Sequence, residues 1–415
     1  MDPLPLPPED GGARANLRTN RLHAGLQAVT ANMLAPFIGL LALRLGATNL
    51  QLGALSALPN LLTFCFTLPI IAGLDARTRH GPVLGRAFLA SRLLFLALAA
   101  VPLFAPPWTA WALVAVWGLH NFPFNAANSV IQGFLADLVP AEQVGNALAQ
   151  RGVVSTVAAM ATVLILGELL DRLPFPAGYQ WVAVAACLIG LAEVYSFTRF
   201  VEPQRQVQRP SGRPWWERLR AGAGAVRSQE RFVAFLVTAV AFNFTWTMVW
   251  PMFNRYQADV LGADNLWFAL VSVAGSLGGI FTFQAWSRQA QRTSPARAMV
   301  WATLILSTAP LATRLAPSIL WVVIYQLVVG VSVAGVTLLL LQASLYYAPT
   351  GQRSIYLAVY QTGMMGAAVV APLVGGGLMD LIGTGNSLVV GTVVRAAAAG
   401  LWWHLGRRDS RPGAS

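Results

Sequence analysis

Twelve apolar runs of about twenty residues, divided by short polar breaks, dominate this chain, and runs of that length are what a helix needs to cross the hydrocarbon core of a bilayer. They fall at 22–44, 53–74, 83–105, 109–136, 146–170, 180–200, 232–257, 265–287, 297–315, 318–347, 354–379 and 386–405. With 56% hydrophobic and only 11% charged residues among 415, there is too little polar surface to cover a soluble globule. The expected fold is all-α and integral to the membrane, because hydrocarbon leaves backbone polar groups no partner outside a helix.

The runs are two copies of one pattern. Thr30, Asn32, Met33 and Pro36, then Leu45-Gly46-Ala47-Thr48-Asn49-Leu50, return as Thr245, Thr247, Met248 and Pro251, then Leu261-Gly262-Ala263-Asp264-Asn265-Leu266. Pro140, Gln143, Leu148 and Ala149 return as Pro349, Gln352, Leu357 and Ala358, and Gly167, Leu169 and Asp171 as Gly376, Leu378 and Asp380. Six spans fall in each copy, which predicts two six-helix bundles in the same orientation, related by a pseudo-twofold axis. The division expected is a tail over 1–21, a first bundle over 22–201, a linker over 202–231, a second bundle over 232–405 and a tail over 406–415.

The net charge of +12 comes entirely from arginine over acid. Arg44, Arg172, Arg255 and Arg314 sit in the turns of one side, Arg92 and Arg395 lie inside spans, and the rest gather in the opposite loops and the termini. By the positive-inside rule both termini and the middle loop are cytoplasmic, so the basicity reads as a topology signal and not as a nucleic-acid surface. Cys65 and Cys187 both lie within spans, so neither a disulfide nor a metal-binding spacing is expected, and no cofactor is implied. The stretch from Asp2 to Asp10 is acidic and Pro-rich, without the order of a cleaved leader, and reads as a disordered cytoplasmic tail. In the linker, Leu219 and Val226 among Arg218, Arg220 and Arg227 fit either an amphipathic helix on the anionic leaflet or a loosely ordered basic segment.

Six plus six spans, same-orientation repeats and a long middle loop resemble the major facilitator superfamily over essentially the whole chain. Its signature between helices 2 and 3 is kept in part as Asp75-Ala76-Arg77-Thr78-Arg79-His80-Gly81, with Ala76 and Thr78 departing from it. The resemblance implies a monomeric transporter in a bacterial cytoplasmic membrane, not an enzyme, and a cytoplasmic gate formed by Asp75, Arg79 and Asp137 with Arg151 as a further partner.

In that family the first and fourth helices of each copy line the substrate cavity. Asn121, Asn125, Asn128 and Gln132, spaced four, three and four, share one face of span 4, and amides facing lipid would leave costly unsatisfied groups. Such a stripe suits a neutral or zwitterionic organic solute; the alternative is that the amides join helices. Asn243, Trp246, Trp250 and Asn254 share a face of span 7, and Asn32 is the candidate in span 1. Pro36 and Pro251 mark expected kinks, and His120, off the amide face, is expected to pack.

Protons are the candidate coupling ion, which would call for a membrane-buried carboxylate. Glu193 in span 6 is the deep one, but Arg92 in span 3 lies at a similar depth, so the two are expected to form a structural ion pair. Arg395 has no acid partner in the pattern. An exporter of amphipathic drugs or metabolites is the rival within transport, weakened because span 4 carries no arginine and Val153 to Leu166 neither glycine nor proline. A sensor or lipid-handling protein on the same scaffold is a further reading. A membrane enzyme built on Ser332 and His120 lacks any nucleophile elbow or zinc motif.

Overall fold

The computed structural model describes residues 10–75, 79–105, 108–202, 224, 226–227, 229–349 and 353–409, all helix and connecting turn. Residues 1–9 and most of the linker, with its expected amphipathic helix, lie outside the described residues, as do the side chains of Asp75 and Gln132.

Among the described residues fifteen α-helices follow one another. The first half holds α1 (Asp10–Asn32), a 3-10 turn at Ala35–Phe37, α2 (Ile38–Arg44), α3 (Asn49–Asp75), α4 (Gly81–Ala100), α5 (Trp108–Ala136), α6 (Ala141–Arg172) and α7 (Ala177–Phe197). The second holds α8 (Glu230–Met248), α9 (Trp250–Asp259), α10 (Asn265–Ile280), α11 (Phe283–Arg292), α12 (Pro295–Arg314), α13 (Ile319–Tyr347), α14 (Arg353–Ile382) and α15 (Thr384–Arg408). Among the described residues eight runs are long and apolar enough to cross a membrane, or nine if α10 and α11, bent by 47°, form one span.

The chain divides into two compact units, residues 1–41 with 62–213 and residues 42–61 with 214–415. In the first, α1 packs on α6 and α7 and α4 on α5 and α7; in the second, α8 packs on α14 and α15 and α12 on α13 and α15. Those four pairings repeat between the halves, and α10 packs in addition on α13. The first core gathers Phe88, Phe134 and Phe197, and the second packs Phe235, Phe242 and Trp402 against the alanines of α12.

The repeated Leu-Gly-Ala-Thr/Asp-Asn-Leu tract now has a mechanical reading. Gly46 and Gly262 have φ of 80° and 67°, the left-handed conformation that ends a helix at little cost only for glycine. Two residues on, Thr48 and Gln51 form a reciprocal capping box at the start of α3, and Asp264 accepts from Trp267 N at the start of α10. One helix stops and the next starts after four residues in the first copy and five in the second.

Pro36 and Pro251 each stand at a full break, α1 giving way to α2 and α8 to α9. The second break exposes the carbonyls of Thr245 and Trp246, and Pro310 inside α12 leaves the carbonyl of Leu306, four residues earlier, without its helical donor. Arg395, 1% exposed on α15, donates to all three, at 3.4, 3.1 and 3.0 Å. This buried arginine therefore serves three backbone carbonyls, one freed by Pro310 and two in the last turn of α8.

The second unit also contains the end of α2, from Ala42, and the first half of α3. Asn49 donates to Asp380 at 2.7 Å and Arg255 to the Ala47 carbonyl at 3.2 Å. A Cβ on Gly53 would stand 2.5 Å from the Pro372 carbonyl oxygen, and one on Gly376 2.5 Å from that of Asn49. Backbone lies on backbone there, and only glycine permits it.

Candidate functional site

Helix α5 presents three faces. Leu113, Trp117, His120, Ala127, Ile131 and Phe134 are buried, whereas Trp111 and Leu119 are exposed apolar side chains suited to lipid. Between those faces runs the amide stripe, with Asn128 exposed and Asn121 and Asn125 half-buried. Asn121 gives one N–H to the Trp117 carbonyl at 2.9 Å. The amides are thus neither sealed in the core nor placed on the apolar outer face, and they carry donors and acceptors without charge. His120 lies in the core, its Nδ1 donating to the Ser91 carbonyl at 2.8 Å and its ring against Phe95 and Trp117.

On α8 and α9 the four candidates part ways. Asn243 is buried and donates to the Met364 carbonyl at 2.8 Å, joining α8 to α14. Trp246 and Trp250 meet edge to face with ring centroids 6.4 Å apart, Trp250 being 48% exposed and Asn254 half-buried one turn on. The helix is interrupted at Val249, between the first two candidates and the last two. Asn32, at the end of α1, is half-buried and returns its N–H to the Ala28 carbonyl at 2.8 Å.

Sequence reasoning missed a polar column on α1. Asn16, Asn20, His23 and Gln27 carry the same four, three, four spacing as the α5 stripe, yet all are buried. Asn16 donates to the carbonyls of Leu138 and Val201, which fixes the turns after α5 and α7 onto α1, and Asn20 donates to that of Ala147 in α6. The spacing was legible, but the span drawn at 22–44 takes in only His23 and Gln27 and leaves Asn16 and Asn20 outside.

Deeper in this column four charged or titratable groups meet. Arg92 of α4 grips Glu193 of α7 with two hydrogen bonds of 2.9 Å, both side chains being 0% exposed. His23 Nε2 stands 3.9 Å from Glu193, and Arg151 of α6 reaches Asn20 Oδ1, His23 Nδ1 and Gln27 Oε1. Because a guanidinium only donates, His23 Nδ1 must accept, and the ring proton sits on Nε2. His23 Nε2, Gln27 Nε2 and Arg92 Nη1 find no acceptor among the described residues, so the cluster holds a surplus of donors.

Of the gate residues, Arg79 and Asp137 are exposed at the two ends of their loops, and Arg151 is turned inward onto α1. Among the described residues no three His, Cys, Asp or Glu side chains are grouped to hold a metal ion.

Two helical units of one neighbour pattern, with uncharged amides kept partly open at mid-helix, are the architecture of a membrane transporter. The chain belongs to the Major Facilitator Superfamily, whose sequence profile matches residues 24–372. No curated protein sequence matches it. Among solved structures it is similar to a bacterial homologue of the human lysosomal transporter Spinster, inward-facing and unoccupied, with a TM-score of 0.74 and 13% identity over 98% of this chain and 100% of that one. It is also similar to the nucleoside transporter NupG, with a TM-score of 0.75 and 9% identity over 94% of this chain and 99% of that one. At such identities the likeness is one of fold.

Proposed function

We propose that this transporter moves a small neutral or zwitterionic organic solute by alternating access. The observation that carries the reading is the α5 stripe: Asn121, Asn125 and Asn128 at mid-helix, part-exposed, uncharged and separate from the apolar outer face. Half-exposed indoles at Trp246 and Trp250 beside Asn254 add flat apolar surface next to an amide, a combination that accepts a sugar face or a flat heteroaromatic ring. Asn32 completes the set, Gln132 extends the stripe by its spacing, and Asn243 acts from behind by fixing α8 on α14. Asp75, Arg79 and Asp137 form the cytoplasmic latch of this reading, and Arg151 joins them only by leaving α1. Glu193, committed to Arg92, is the structural ion.

The test is solute counterflow into proteoliposomes holding the full-length protein, across a panel of sugars, polyols, nucleosides and short peptides, with and without an imposed pH gradient. Asn128→Leu is expected to lower uptake of the active solute about tenfold, the factor for one lost hydrogen bond of about 1.4 kcal/mol, with thermal stability unchanged. Uptake at the normal rate in both Asn125→Leu and Asn128→Leu proteins would remove the stripe from the transport path.

A further inference from the structure

At one end of the second unit a groove of about 420 Å³ opens between α11, α12 and α15, within the range of about 300–1,000 Å³ usual for small-molecule sites. Gln289, Thr293, Arg297 and Arg407 supply its polar wall, and Val300, Trp301 and Trp403 its apolar wall. None of these lining side chains is acidic.

The order of the residues is the informative part. On α12, Trp301 follows Arg297 by four residues; on α15, Arg407 follows Trp403 by four. Helix α12 begins at this groove and α15 ends there, so the two run antiparallel and both arginines stand at the outer level, with both indoles one turn, about 6 Å, deeper. The helices are drawn close at that level, since Arg297 Nε donates to the Gly406 carbonyl at 3.1 Å and a Cβ on Gly406 would stand 2.7 Å from Arg297 Cγ. Trp403 is held under the Arg407 guanidinium, 4.2 Å from the ring centroid, yet 52% of its surface stays open, as does 59% of Trp301. An arginine one turn outside an indole on each wall matches the section of a leaflet, with phosphate outside and glycerol and upper acyl chain within. The same end carries Arg288, Arg292 and Arg408, all exposed.

We infer that this groove binds one anionic phospholipid, its phosphate between Arg297 and Arg407 and its glycerol and upper acyl carbons on Trp301 and Trp403. This is a headgroup-selective site, distinct from the surrounding lipid, and it does not depend on which solute the protein carries.

The test uses the full-length protein in mild detergent, titrated with phosphatidylglycerol or with phosphatidylcholine of the same acyl chains and read by native mass spectrometry. One phosphatidylglycerol is expected to be retained in preference to phosphatidylcholine. Arg407→Gln should weaken that retention about fivefold, the factor for about 1 kcal/mol per basic side chain at a membrane surface. Arg408→Gln, one residue along and outside the groove, should leave it unchanged, and Trp301→Ala should weaken it without changing charge. Equal retention of both lipids, or Arg407→Gln protein indistinguishable from wild type, overturns the proposal. Displacement of the lipid by soluble glycerol phosphate at comparable concentration also overturns it, because the groove would then take a free anion.

Discussion

Arg92 and Glu193 show how a residue pair can be required without being net stabilising. Taking both charges out of water costs several kcal/mol each, and two 2.9 Å hydrogen bonds return that cost only while both partners are present. Arg92→Met is therefore expected to destabilise the protein by about 3–5 kcal/mol, and the double change Arg92→Met with Glu193→Leu to recover most of the loss. Thermal unfolding of the two variants in one detergent decides it; equal damage in both would mean that the pair does more than neutralise itself. Arg395 belongs to a different case, since its partners are three backbone carbonyls. Arg395→Met strands them in the core and should cost about 2–4 kcal/mol, and the same assay should show no gain from replacing any nearby acid.

Among the elements, α14 carries its consequence in adjacent glycines. A Cβ on Gly376 meets the Asn49 carbonyl at 2.5 Å, whereas one on Gly377 meets nothing within 4 Å. Gly376→Ala should therefore force α14 away from α3 and cost about 1–3 kcal/mol, while Gly377→Ala should be neutral or stabilise by about 0.5–1 kcal/mol through helix propensity. Paired unfolding curves read the difference, and equal shifts would show that the close approach is not maintained in the membrane. The α1 column illustrates a limit of pattern reading. Its spacing matches the α5 stripe, but whether a polar stripe is spent on neighbours or left open depends on which helices cover it. On α1 the turns after α5 and α7 and the start of α6 supply carbonyls; on α5 Asn128 is exposed.

For the whole molecule, alternating access requires some contacts of one state to be absent in the other. Asn49 and Asp380, hydrogen-bonded at 2.7 Å, are suited to a direct test. In a background without Cys65 and Cys187, cysteines at 49 and 380 joined by a short thiol cross-linker are expected to stop counterflow, and a cleavable linker to restore it on reduction. Flux at the normal rate through fully cross-linked protein would show that this contact persists throughout the cycle. The sequence by itself determined the membrane setting, the helix order, the duplication and the family, because span length, hydrophobicity and repeat spacing are one-dimensional quantities. It also made the contact of Arg92 with Glu193 legible, since two opposite charges at one depth in lipid have few other partners. Only the tertiary structure decided that Arg395 serves backbone carbonyls of two interrupted helices, that Arg151 turns onto α1, that Asn243 joins helices while Asn128 stays open, and that two arginines and two tryptophans from α12 and α15 share a groove. Each of those depends on which surfaces distant segments cover, and a polar side chain is satisfied or left available by neighbours that its own stretch of sequence does not contain.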